Sequence, residues 1–246
     1  MSFCEPDLLP SSFLLVNRTS LVVLAGLLLP VPVVAQVGSL PENSPFRDLE
    51  YKQEFTAYTG WFAASKDPAG VAPRSGPMLG ARYDIRIGGP AEFSARLGTV
   101  FSERRVLDPR VAGAGREVGV RSQGLYLGDV GITVNLTGQK SWHTLVPYTQ
   151  LGVGLASDFQ GRDPGGYRFG TTFAFNFGGG VRWVPRNRWQ VRADVADWLY
   201  QVQYPETYYV PTTTGGSDAV LRASQAKSVW KHNPALTIGG SYLFFR

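Results

Sequence analysis

Residues 78 to 101 run Met78-Leu79-Gly80-Ala81-Arg82-Tyr83-Asp84-Ile85-Arg86-Ile87, then Gly88-Gly89-Pro90-Ala91, then Glu92-Phe93-Ser94-Ala95-Arg96-Leu97-Gly98-Thr99-Val100-Phe101. In the first segment Leu79, Ala81, Tyr83, Ile85 and Ile87 alternate with Met78, Gly80, Arg82, Asp84 and Arg86. In the second, Phe93, Ala95, Leu97, Thr99 and Phe101 alternate with Glu92, Ser94, Arg96, Gly98 and Val100. A period of two sends successive side chains to opposite faces of a sheet, so the stretch predicts a β-hairpin with one greasy and one charged face. Each arm is about ten residues, the length of a tilted membrane-spanning strand rather than the ~5–6 of a soluble protein.

The same alternation recurs on both sides of the hairpin. Upstream, residues 51–64 place Phe55, Ala57, Thr59 and Trp61 opposite Lys52, Glu54, Thr56 and Tyr58. Downstream, four strands are predicted around Tyr126–Leu136, Leu145–Ala156, Thr172–Trp183 and Trp189–Val195, and a last one around Leu236–Phe244. Asp197 falls on the greasy parity, either near a strand end or after a bulge. Residues 102–122 and 203–233 read as long loops, and residues 65–76 and 157–171 as further polar loops. Eight strands whose connections alternate between long and short predict an up-and-down barrel. In lipid such a sheet must close, because an open edge leaves backbone N–H and C=O groups unpaired.

A soluble eight-stranded barrel or sandwich alternates too, with its greasy face turned inward. Trp61, Phe101, Trp183 and Trp189 at the strand ends fit membrane-interface girdles, and the Gly-rich opposite face fits a narrow lumen. The fold class expected is therefore all-β, a transmembrane antiparallel barrel over residues 51–246.

Ahead of it, residues 1–35 read as a signal peptide: Arg18 precedes the unbroken apolar run Leu21–Leu29, and Val33-Val34-Ala35 offers a loose small-x-small cleavage site. Processing after Ala35 removes Glu5, Asp7 and Arg18 and raises the net charge from +5 to +6. Residues 36–50, with Pro41, Asn43, Ser44 and Pro45, read as a periplasmic tail without periodicity.

Composition narrows the function. Cys4 is the only cysteine, so an internal disulfide or thiol pair is excluded. The 24 Lys and Arg are scattered among acids with no run that tracks a phosphate backbone, so no nucleic-acid partner is expected despite a pI near 9.4. His143 and His232 are isolated, so neither metal nor cofactor is expected.

The region from about Tyr51 to Phe244 resembles the small outer-membrane β-barrels that include the OmpA transmembrane domain, OmpX and OmpW. Leu236-x-Ile238-x-Gly240-x-Tyr242-x-Phe244 resembles the aromatic-ended signal by which such barrels are recognised for insertion, and Gly178-Gly179-Gly180-Val181-Arg182 with Arg192-Ala193-Asp194-Val195 is similar to hairpins of that superfamily. The resemblance implies an outer-membrane location, lipid including lipopolysaccharide as surroundings, the barrel-assembly machinery as insertion partner, and a monomer.

Arg82, Asp84, Arg86, Glu92, Arg96, Asp129, Arg182, Arg192 and Asp194 are expected to point into a lumen that eight strands make only wide enough for side chains. Confined there, opposite charges pair, giving a structural plug. The alternative is a narrow or gated channel whose excess of Arg favours anions. An enzyme is not expected: a Ser224, His232, Asp218 triad in the last loop has no spacing behind it. Arg104, Arg105, Arg110, Arg116 and Arg121 are candidates for lipid headgroups, and Tyr208, Tyr209 and Trp230 for a binding surface.

Overall fold

The computed structural model of the protein describes residues 44–185, 188–212 and 218–245. The expected signal peptide and most of the expected tail lie outside the described residues.

Ten strands form one antiparallel sheet: β1 (Phe46–Asp48), β2 (Gln53–Phe62), β3 (Gly76–Gly88), β4 (Ala91–Leu107), β5 (Glu117–Asn135), β6 (Lys140–Trp142), β7 (Leu145–Ser157), β8 (Thr171–Trp183), β9 (Trp189–Gln203) and β10 (Ser228–Phe244). Eight of them close a ring in the order β2-β3-β4-β5-β7-β8-β9-β10, with β10 returning to β2 through Leu236↔Trp61 and Phe244↔Gln53. Closure pairs every long strand on both sides within the wall, which is the arrangement that leaves no edge for lipid.

The faces decide between the two barrel types. Leu97, Leu151 and Leu236 point outward and are 71 %, 65 % and 60 % exposed, while Arg82, Asp84 and Arg192 point inward and are 3 %, 2 % and 1 % exposed. A soluble barrel would reverse these values. Trp61 and Phe101 mark the rim with the long connections, and Trp183 and Trp189 the rim with the short ones, all four outward. Leu236 and Phe244 are eight residues apart on β10. That is about 27 Å along the strand and about 20 Å along the axis at a ~40° tilt, close to the ~25 Å apolar band of a membrane barrel. A chain with this outer surface spans a lipid bilayer.

Three boundaries depart from the sequence reading. Residues 102–122 are not a loop: β4 and β5 stay paired from Ser102↔Gln123 to Val106↔Gly119, so the hairpin projects beyond the girdle. Polar residues there break the apolar alternation without disturbing backbone pairing. The last strand likewise starts at Ser228, where Ser228 to Lys231 pair with Gln203 to Tyr200. The segment read as an irregular tail carries β1, which pairs with β6 through Phe46↔Trp142, Arg47↔Ser141 and Asp48↔Lys140. Residues 45–52 thus form a strap at the short-turn mouth.

Candidate functional site

The candidate site is the barrel interior, which the inward parity of eight strands fills in layers. Nearest the short turns, the Arg182 guanidinium donates to Glu92 at 3.0 Å and to Glu54 at 2.9 Å, and also to the Asn135 side-chain oxygen. Asn135 in turn donates to Glu92 at 2.8 Å. One layer deeper, Arg192 reaches Asp84 at 2.9 Å and Glu54 at 3.3 Å, and its Nε donates to the Tyr148 hydroxyl at 3.1 Å. Arg82 grips both Asp84 oxygens at 2.9 Å and donates to Ser94, Thr133 and Gln150.

Tyr148 is the hub of these layers. The guanidinium carbons of Arg192, Arg182 and Arg82 lie 4.7, 5.5 and 5.8 Å from its ring centroid. Its aromatic face offers negative potential to three cations at once. Arg82, Arg182 and Arg192 therefore pair with Glu54, Asp84 and Glu92, and Asp194 stands beside Arg192 as a fourth carboxylate. Such pairing is required, since an unpaired buried ion costs several kcal/mol.

At mid-height Arg96 and Asp129 form a two-pronged pair, Nε to Oδ1 and Nη2 to Oδ2, each 2.9 Å. The Arg96 guanidinium also stacks 4.9 Å from the Trp198 ring. A side chain at position 152 would collide with this pair, because a Cβ there would lie 2.5 Å from the Asp129 Oδ2; Gly152 leaves the room. Asp194 lies 3.6 Å from Arg192 and accepts from Thr237 at 3.4 Å. Beside the Arg96 pair is a cavity of about 10 Å³ that touches Asn176, whose side-chain nitrogen and oxygen are both buried and unpartnered.

Above this level the interior changes character. Tyr58, Phe62, Met78, Val100, Leu125, Leu127, Trp198, Tyr200 and Val202 pack into one apolar cluster with Val71 from residues 63–75, Tyr167 from residues 158–170, and Tyr208 and Leu221 from residues 204–227. Three of the four long connections thus fold back and cap the barrel. A small polar layer ties the cap down: Arg104 forks onto Asp163 and lies 5.4 Å from the Tyr167 ring, Gln123 donates to Asp158, and the Tyr204 hydroxyl donates to Asp67 at 3.1 Å. Burial, with the Asp67 carboxylate alongside, pushes the Tyr204 phenol well above its ordinary value; burial does the same for Tyr167 and Tyr208.

The nine expected lumen charges all lie on the inward face, with Arg86 at the short-turn mouth and only half-buried. Sequence reasoning passed over Glu54 and Tyr148 as ligands of the network, although both sit on the inward parity. It singled out only the charged inward positions and did not mark the apolar upper half. Met78, Val100, Leu125 and Leu127, on inward positions, carried that signal.

The loop candidates come out differently from expectation. Arg104 is buried in the cap, and the other four arginines are engaged within the loops: Arg105 with Glu117 at 3.5 Å, Arg110 with Asp108 at 2.9 Å, Arg116 with the carbonyls of Val111 and Asp218, and Arg121 with Gln160 at 3.0 Å. Tyr208 is interior, Tyr209 donates to the Ala226 carbonyl, and Trp230 faces outward against Phe175, so these three form no common surface. Asp197 is truly outward, with β9 and β10 in unbroken register around it. Its carboxylate meets His232 Nδ1 at 2.6 Å and accepts the Asn233 N–H at 2.7 Å. The partner of His232 is therefore Asp197 rather than Asp218, and Ser224 is an exposed loop residue.

No protein-family model matches the sequence, and no curated protein matches it either. Solved structures similar to this chain include Neisserial surface protein A, at 14 % identity over 78 % of this chain and 97 % of that one, TM-score 0.48. The outer membrane protein OprG from Pseudomonas aeruginosa is 11 % identical over 80 % and 98 %, TM-score 0.48. The outer membrane protein AlkL, solved in DMPC bilayers, is 14 % identical over 85 % and 97 %, TM-score 0.46.

Proposed function

We propose that this chain is an integral protein of a bacterial outer membrane, a filled eight-stranded barrel that serves as a structural scaffold and presents its long connections at the cell surface. The observation that carries the reading is the interior: a paired ion network in the lower half and an apolar cluster across the upper half. A conducting pore would need a continuous polar lining, and the cluster around Met78, Leu125, Leu127 and Tyr208 interrupts it. Lipopolysaccharide and the other lipids of that membrane are its surroundings. The outward row Leu236, Ile238, Gly240, Tyr242 and Phe244 on β10 is the segment that the assembly machinery would read during insertion. Catalysis is no part of the reading.

The test is topology in intact cells. An epitope inserted after the exposed Gly161 should bind antibody on unopened cells, and one placed in the strap, after Asp48, should bind only after the outer membrane is permeabilised. Strap labelling on intact cells would reverse the orientation, and no labelling of either site after permeabilisation would remove the protein from that membrane.

A further inference from the structure

The lipid-facing wall continues onto the strap. At the short-turn end Trp183 on β8 pairs with Leu145 on β7, Leu145 with Trp142 on β6, and Trp142 with Phe46 on β1. Residues directly opposite across a ladder share one face of the sheet. Trp183 and Leu145 face outward, so Trp142 and Phe46 do too, and they are 48 % and 46 % exposed. The depth of this row follows from closure of the ring. A row followed pair by pair from Gln53 on β2 through Ile85, Phe93 and their partners reaches Pro234 on β10, whose carbonyl accepts the Ala63 N–H at 2.8 Å. One circuit thus climbs from Gln53 to Ala63, toward the long connections, and the way from β8 back to β1 descends. With strands ~4.8 Å apart and tilted ~40°, each step descends about 3 Å, which puts Trp142 about 6 Å and Phe46 about 9 Å beyond Trp183. The polar zone outside the hydrocarbon is ~5–7 Å deep. Trp142 is therefore at headgroup depth, and Phe46 at the outer edge of that zone.

We propose that the strap is a lipid-docking element, seated by Phe46, Trp142 and His143 on the headgroups of the leaflet at the short-turn end. In the orientation proposed above, on which this rests, that is the periplasmic leaflet. The occupant is lipid because this face is continuous with the wall that lipid already covers, at the depth where the girdle of Trp183 and Trp189 ends. Aromatic rings with a polar tip suit such a boundary, the ring meeting the last methylenes and the N–H an ester or phosphate oxygen. The turn between β6 and β7 adds a second tip. His143 and Thr144 are both left-handed, at φ 46° and 67°, angles that a two-residue hairpin demands and that Asn-Gly meets without strain. Here the turn carries instead an imidazole edge-on to Trp142, with ring centroids 4.9 Å apart. The same hairpin holds the strap, through three residue pairs to β6 and the His143 N–H to the Pro45 carbonyl at 2.9 Å. Inside, Arg86 donates to the Leu49 carbonyl at 2.7 Å. Lipid on the outer side therefore keeps the strap against the barrel mouth.

Nitroxide accessibility tests this in the protein reconstituted into vesicles of phosphatidylethanolamine and phosphatidylglycerol. In a C4S background, single labels are placed by D48C on the strap, by L97C as the hydrocarbon standard and by G161C as the water standard. Asp48 shares the outward face of Phe46 and lies two residues nearer the hydrocarbon, about 4 Å beyond Trp183. Its label should be at least threefold less accessible to a water-soluble nickel chelate than the label at Gly161, and less accessible to oxygen than the label at Leu97. F46S/W142S should raise nickel access at Asp48 at least threefold, to the water standard, and leave Leu97 unchanged. Heat-modifiable gel mobility checks that each variant is folded; if the double variant is not, W142S alone carries the comparison and should raise access in the same direction. Water-like access at Asp48 with both rings present, or no change when they are lost, overturns the proposal while the barrel stands. A label at Leu97 that reads as water overturns the membrane reading itself, and this inference with it.

Discussion

Arg96 and Asp129 offer the cleanest measurement of what the filled interior contributes. The two side chains are 9 % and 7 % exposed and joined by two 2.9 Å bonds, and Arg96 lies directly across from Arg82 in the β3–β4 register. At an effective dielectric near 20, unit charges about 4 Å apart attract by roughly 4 kcal/mol. Removing one partner of such a pair costs about 3–5 kcal/mol, because the other stays buried and unpaired. R96M should fall in that range. D129N should sit at its lower end, since Arg96 keeps the Trp198 ring at 4.9 Å. The double variant buries neither charge, and its destabilisation should be smaller than the sum of the singles by about 2–4 kcal/mol. The assay is equilibrium urea unfolding in lipid vesicles, followed by tryptophan fluorescence and heat-modifiable mobility. Singles that add within ~0.5 kcal/mol would refute the reasoning, because independent residues behave that way and paired buried ions do not.

Asn176 should be replaceable: N176L removes two unpartnered buried polar atoms at similar volume and is expected to be neutral or stabilising by about 1 kcal/mol in the same unfolding assay. G98A should destabilise by about 1–3 kcal/mol, because the added Cβ would lie 2.6 Å from the Tyr58 hydroxyl and 2.8 Å from the Met78 methyl. Among the tyrosines, Tyr167, Tyr204 and Tyr208 should stay protonated through the pH range near 10 where free phenols ionise. Their folded-state values lie above the unfolded one, so the stability they add is full below about pH 10 and is lost as pH rises beyond it. Absorbance at 295 nm should show a late-ionising group that Y204F removes, and a single common transition near pH 10 would contradict the assignment.

Backbone period two was legible throughout, because a wall with lipid on one side and a packed lumen on the other forces each strand to alternate. That is why all nine expected lumen charges and all four girdle aromatics lie on the expected faces. Parity gives a face but not a height, so the fork of Arg96 on Asp129 and the convergence of three arginines on Tyr148 could not be read. Above the girdle water replaces lipid and alternation is no longer enforced, which hid the paired stretch from Ser102 to Gln123 and the start of β10 at Ser228. The strap was hidden for a related reason: three exposed residues in β1 leave no periodic trace. Asp197 did leave one, as an acid on the greasy parity, but finding His232 beside it needed the register of β9 against β10.

The central claim is that the interior is closed, and planar-bilayer conductance of the inserted protein tests it most directly, with insertion verified by protease protection of the membrane-embedded strands. The account predicts a correctly inserted barrel that gives no channel steps, because the cap of Tyr167, Tyr208, Leu221 and Met78 seals the long-loop end. Reproducible single-channel steps, anion-selective and abolished by neutralising Arg82 or Arg96, would contradict it.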